Sequence, residues 1–206
     1  MKHFKNWNIA IKLYSTLGIL LLMLLSLGIF SLYEASKINQ RVTDLYHQEL
    51  KPLETIEDMK TVLFQVRELV GRHLSEPELQ AEHENGIQHQ LQILADNEAE
   101  YKKSRLVGQE TRLLQAYKES WKVYLSLVND KILPFSRNAS VEAAEDVLYG
   151  PALYSFRSAN EAINELVEYQ IERAERRFES AQQAYTTMRY LTIGIITVAL
   201  LLAGGI

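Results

Sequence analysis

The sequence predicts an all-α protein, an antiparallel up-down-up-down four-helix bundle extending from two transmembrane helices. Three observations predict it. Between positions 34 and 189 apolar residues recur at three- and four-residue spacing, the helical period, and no alternating run marks a strand. Glycines are few, and three of the four prolines (Pro52, Pro77, Pro134, Pro151) stand where helices would begin or end. No charged residue occurs from Leu13 to Tyr33 or from Tyr190 to Ile206, and the first run has the length a helix needs to cross a bilayer core.

Charge orients the two spans. The first 33 residues carry Lys2, Lys5 and Lys12 and no acid, whereas residues 34–189 hold all 26 acids against 19 bases, a net of −7. Short Lys-rich flanks stay in the cytoplasm. The expected order is therefore a cytoplasmic N-terminus over 1–12, a span over 13–33, a periplasmic domain over 34–189 and a second span over 190–206. Trp7 and Tyr14 near one end of the first span and Tyr33 at the other suit the two interfaces. No small-x-small cleavage site follows Phe30-Ser31-Leu32-Tyr33, so the first run is read as a retained span rather than a signal peptide. The second span is short and stops before any charge, and the chain is read as ending inside it.

Composition also excludes. With no cysteine there are no disulfides, thiolate metal sites or cysteine nucleophiles. An acidic domain argues against nucleic acid, which selects basic faces. There is no Gly-rich phosphate loop, Gly-x-Ser-x-Gly or His-Glu-x-x-His, so no enzyme is read and no catalytic residue assigned.

The elements follow in order. Leu53, Ile56, Met59, Leu63, Val66, Val70 and Leu74 mark a first bundle helix continuous with the first span, kinked at Pro52 because proline lacks an N–H and crowds the preceding turn. Ser75 is expected to cap the next helix, with Pro77 in its first turn. That second helix carries Leu79, Ile87, Leu91, Leu94 and Tyr101. The third carries Leu114, Tyr117, Trp121, Tyr124 and Val128 and ends by Pro134. Asn138-Ala139-Ser140 caps a short helix to about Leu148, and Gly150-Pro151 breaks it. The last helix shows a seam of Ile163, Val167, Ile171, Ala174, Phe178, Ala181, Tyr185 and Met188, uninterrupted by Gly or Pro. Residues 34–74 and 152–189 each span roughly 60 Å as helix, so the first and last helices match in length.

The run Tyr46-x3-Leu50-Lys51-Pro52-Leu53-x2-Ile56-x2-Met59-Lys60, leading to Val66-Arg67, resembles the four-helix-bundle sensor domain of bacterial methyl-accepting chemotaxis proteins. The short helix with Ala143-Ala144 before Gly150-Pro151 is similar to that family too. The resemblance implies a homodimeric periplasmic receptor module in the bacterial inner membrane, with no cofactor. A small ligand or a periplasmic binding protein would act on it, and the last helix would slide toward the cytoplasm. A downstream kinase would be reached only through a cytoplasmic part after Ile206. The same module also precedes diguanylate cyclases and histidine kinases, so the output class stays open.

By the same resemblance, Arg67 and Arg72 on the first bundle helix are the candidate ligand-binding residues, with Tyr154 and Arg157 early in the last helix facing them. Guanidinium groups pair both oxygens of a carboxylate, which makes a carboxylate-bearing ligand the natural one. The bland alternative pairs Arg67 and Arg72 with Glu68, Glu76 or Glu161, or lays the Arg67 stem over core surface. His73 stands where a third arginine would fit the pattern.

Three further groups have plainer readings. His83 and His89 are read as surface groups, His83 alternatively as a satisfied core histidine. No metal site is read, and a haem-binding bundle is the third function class. Tyr117, Trp121 and Tyr124 are core. Glu161, Glu165, Glu168, Glu172, Glu175 and Glu179 form a solvated face. The competing function is a passive bundle that docks a periplasmic partner protein.

Overall fold

The computed structural model describes residues 9–104 and 108–204. Lys2, His3, Lys5 and Trp7, and the last two residues of the second apolar run, lie outside them. The described residues contain helices and turns and no strand. They form two compact units, residues 46–175 and the two segments 1–45 and 176–206.

The unit of the two chain ends holds α1 (Ile9–Leu45) and the last part of α7 (Pro151–Gly204). Many of its apolar side chains point outward: Leu21, Leu22, Leu24, Leu25, Ile29 and Leu32 are exposed, while Met23, Leu27 and Phe30 are half-buried. A helix apolar on every face belongs in a protein core or a membrane. Among the described residues one helical stretch, Leu17–Ser75, holds a window apolar and long enough to cross a membrane, with mean hydropathy 2.0 and none of it buried. Its hydroxyls bond back into their own helices: Ser26 Oγ donates to Leu22 O at 2.8 Å and Thr197 Oγ1 to Ile193 O at 2.8 Å. Each of these two hydroxyls is thereby satisfied without water.

The second unit is the bundle. It contains α2 (Lys51–Ser75), α3 (Gln80–Tyr101), α4 (Gly108–Leu127), α5 (Leu133–Arg137), α6 (Val141–Tyr149) and the start of α7. Side-chain pairs fix the directions. Glu84 early in α3 meets His73 late in α2, and Glu100 late in α3 meets Lys51 at the start of α2. Arg173 meets Glu49 and Glu110 at one end, while Phe156 meets Phe64 and Tyr124 farther along. α2 thus runs antiparallel to α3 and to α7, and α4 antiparallel to α7. The order is up-down-up-down. The core is one cluster threaded through these helices, from Ile56, Met59 and Leu63 on α2 to Tyr117 and Tyr124 on α4 and Ile163 and Leu166 on α7.

Pro52 lies within the continuous helical stretch Leu17–Ser75. It is the second residue of α2, after a five-residue π-helical turn, Tyr46–Leu50. Several local expectations are corrected. A second π turn, Val128–Ile132, stands in the same place before Pro134, and the helix continues through that proline to Arg137 instead of ending. Where proline removes an i→i−4 bond, the preceding turn widens to i→i−5. Ser75 closes α2 rather than capping α3, its Oγ turned back toward the carbonyls of Gly71 and Arg72. Ser140 holds the N-cap position of α6 without a side-chain hydrogen bond. Gly150 is required as glycine, because a Cβ there would lie 2.6 Å from Asp146 O.

The seam of α7 has a different phase. Ala152, Phe156, Ala159, Ile163, Leu166 and Gln170 are buried, whereas Ile171 and Phe178 are exposed. Ile163 belongs to both readings, but the buried heptad leaves it by a step of three, to Leu166, and not by four, to Val167.

Candidate functional site

Three polar centres lie inside the bundle, each built where helices of different origin meet. The first is carried by the ends of α2 and α5 and the start of α3. His73 is fully buried, its ring hydrogen-bonded to Ser136 Oγ at 2.9 Å and to Glu84 Oε1 at 3.0 Å. Arg137 forks onto Glu84 through Nε and Nη2, both at 2.7 Å. That fork, helped by His73 and opposed by burial, holds the Glu84 carboxyl down at about 2. Next to it, His83 is buried and hydrogen-bonded to Glu76 at 2.8 Å, so the satisfied-core alternative describes it and the surface reading does not. His89 is exposed.

Ser136, His73 and Glu84 have the order of a nucleophile, base and acid, but not the chemistry. Ser136 and His73 are buried, so no substrate carbonyl reaches the hydroxyl. The Ser136 hydroxyl donates to His73 O at 3.0 Å, and the arginine fork occupies both Glu84 oxygens. The set braces the bundle end.

The second centre is an aromatic layer. Phe156 on α7 packs edge-on against Phe64 of α2 at 5.2 Å between centroids, and lies 5.7 Å from the Tyr124 ring of α4. Trp121 stacks on Tyr124 at 4.8 Å. The Arg67 guanidinium sits over the Phe156 ring, 4.7 Å from its centroid, a cation–π contact inside one bundle. Burial raises the pKa of the Tyr124 phenol, and the Arg67 charge pulls against that rise.

The third centre joins the beginning of the bundle to its last helix. Arg173 Nε donates to Glu49 at 2.8 Å, Nη2 to Gln48 O at 2.9 Å, and Nη1 pairs with Glu110 at 2.9 Å. Glu49 and Glu110 are almost wholly buried. Gln170 donates to Glu110 and to Tyr101 Oη, and Tyr101 in turn faces Glu110. Glu49 reaches inward because the π turn before Pro52 rotates it there. The proline also leaves Gln48 O without its usual helical donor, and Arg173 supplies one.

The four sequence candidates separate. Arg67 points into the aromatic layer. Arg72 is exposed and pairs with Glu68 one turn back at 2.6 Å. Tyr154, 76% exposed, and Arg157 lie on the outer face of α7. Among the described residues no hydrogen bond or ring contact joins the four to each other. The residues missed in the sequence are Glu49, Glu110, Gln170 and Arg173, which look there like any surface polar group. The one signal was Pro52, whose freed carbonyl needs a donor. Among the described residues no group of three or more His, Asp or Glu side chains is placed to hold a metal ion.

The arrangement is thus a helical bundle whose polar interior ties helices to each other. A family model described as a four helix bundle sensory module for signal transduction matches residues 6–185. Neither the curated proteins nor the solved structures hold a match. Covering nearly the whole chain, the family match agrees with the bundle topology, and this protein belongs to the four-helix-bundle sensory modules of signal transduction.

Proposed function

We propose that the chain is the ligand-sensing and transmembrane-signalling portion of a bacterial chemoreceptor of the methyl-accepting type. In this reading residues 13–33 and 190–206 span the inner membrane, residues 34–189 lie in the periplasm, and two copies pair as a homodimer. The observation that carries it is α7, a single helix from Pro151 to Gly204 whose first half is bundle core and whose end is apolar. A ligand that favours one register of α7 against α2 therefore acts on the same helix that enters the apolar segment. It can bias that register only by its difference in affinity for the two states, typically about 1–3 kcal/mol. Arg67 is the candidate contact the bundle supports best, since Arg72 already has an acid partner. Tyr154 and Arg157, exposed on α7, remain candidates for ligand or protein contacts on the outer face. The alternative reading is the same sensor module of a diguanylate cyclase or histidine kinase.

Topology is the direct test. The chain has no cysteine, so Lys122→Cys, at an exposed position of α4, is a unique thiol. The proposal expects a membrane-impermeant maleimide to label it in intact cells as fully as after lysis. Labelling only after lysis contradicts it. A bundle that changes no register with any small molecule, yet binds a periplasmic protein tightly, is the passive docking module instead.

A further inference from the structure

At one end of the bundle a histidine ring faces two acceptors at once. His73, late in α2 and fully buried, meets Ser136 Oγ with Nδ1 at 2.9 Å and Glu84 Oε1 with Nε2 at 3.0 Å. The Ser136 hydroxyl has one proton, and the backbone claims it. Pro77 stands four residues after His73 and has no N–H, so the His73 carbonyl lacks its usual helical donor. Ser136 Oγ donates to that carbonyl at 3.0 Å, and itself accepts from Gln80 Nε2 at 3.1 Å. What Ser136 still offers is one lone pair, an acceptor for Nδ1–H. Glu84 is the other acceptor. The Arg137 fork keeps its carboxyl ionised, down at about 2, and an ionised carboxylate only accepts.

Both ring nitrogens therefore donate, which only the imidazolium form can do. A neutral ring would keep Nε2–H on the carboxylate, the stronger charge-assisted bond, and turn a bare Nδ1 toward Ser136. Ser136 must then give up either the ring or the His73 carbonyl, and α5 loses one of its ties to α2. The charged groups around the ring are few. α3 brings Glu84 and α5 brings Arg137, while Glu76 is taken by His83 at 2.8 Å and Arg72 by Glu68 at 2.6 Å. The His83 contact needs one N–H, which a neutral ring also has. Glu84 thus serves two cations, and the one on His73 is a proton of the kind histidines exchange between about pH 5 and 8. We propose that this end of the bundle senses acidity: the proton on His73 clamps α5 to the end of α2, and its loss to solvent as pH rises loosens that clamp. This switch, which rests on the sensing function proposed above, makes the hydrogen ion a stimulus. A fold that needs the extra proton is stabilised by it at low pH and loses that stabilisation as pH rises.

The experiment uses the full chain in detergent with ¹⁵N-labelled histidine, followed by NMR from pH 5 to 8.5, the His73 signals being assigned by their loss in His73→Gln. At pH 5 both His73 nitrogens should carry protons, and Nδ1 should lose its proton as pH rises. Unfolding midpoints of wild type and His73→Gln should differ most at pH 5 and converge by pH 8.5. Ser136→Ala removes the acceptor at Nδ1 and should move the His73 transition to lower pH, a readout that stands even if His73→Gln fails to fold. Spin labels at Gln65 on α2 and Asn138 just after α5, both exposed, should lie farther apart at pH 8 than at pH 5.5. A His73 ring holding one proton, or two, across the whole range overturns the switch and leaves small-molecule sensing and the membrane topology standing. A ring that titrates while the spin-label distance stays fixed overturns the clamp. A ring that titrates in a chain whose Lys122→Cys is labelled only after lysis overturns the sensing of external acidity and the receptor reading together.

Discussion

Arg173 is the side chain on which most of the buried charge depends. All three of its guanidinium nitrogens are engaged, two of them by carboxylates that have almost no contact with solvent. Removing one member of such a set leaves the others charged and dry. Arg173→Met should therefore destabilise the chain by about 3–5 kcal/mol, read from denaturant midpoints. Arg173→Lys should recover part of that loss, because one ammonium cannot span the three acceptors. Glu84 makes a different prediction, in pH. Its folded pKa of about 2 lies below the ordinary 4.5, so the ionised form is favoured in the folded state. Its stabilisation is complete above about pH 4.5 and disappears as pH falls toward 2. The stability gap between wild type and Glu84→Gln should close below pH 4. A gap independent of pH would mean that the Arg137 fork does not act through the carboxylate charge. Neither residue was legible beforehand. One arginine among several on the last helix and a glutamate between two histidines carry no periodic signature, and their partners lie 124 and 53 residues away.

At the scale of elements the helical period was the informative quantity, and phase was where it failed. The stripes of α2 and α4 are buried as their spacing implies: Ile56, Met59, Leu63, Val66 and Val70, and Leu114, Tyr117, Trp121 and Tyr124. On α7 the same reasoning chose Val167 and Ile171 over Leu166 and Gln170, since a buried glutamine breaks an apolar pattern that an exposed isoleucine continues. Leu166→Ala should consequently cost about 2–5 kcal/mol, and Ile171→Ala within about 0.5 kcal/mol, by thermal unfolding. Equal losses at the two positions would restore the other seam. The prolines show a related limit. Pro52 was expected inside a continuing helix and lies in one, whereas Pro134 was expected to end its helix and does not; the widened turn before each carries no mark in the sequence.

The whole molecule was the most legible level. Two charge-free runs, an acidic middle and an unbroken three-four rhythm suffice for a four-helix bundle between apolar helices, and the sensory-module match over residues 6–185 agrees with the bundle. What composition cannot carry is how polar groups meet across helices, and function is set there. Glu49 and Arg173 fasten the first and last helices of the bundle to each other, and Arg67 of the first lies over Phe156 of the last. The account comes down to a shift of α7 along α2. Spin labels at Thr61 on α2 and Glu165 on α7, both exposed, measure it by pulsed dipolar spectroscopy on the full chain. A small molecule that binds saturably should displace the distance distribution by about 1–2 Å, the usual scale of a signalling helix shift. Superimposable distributions with and without that molecule would contradict the account.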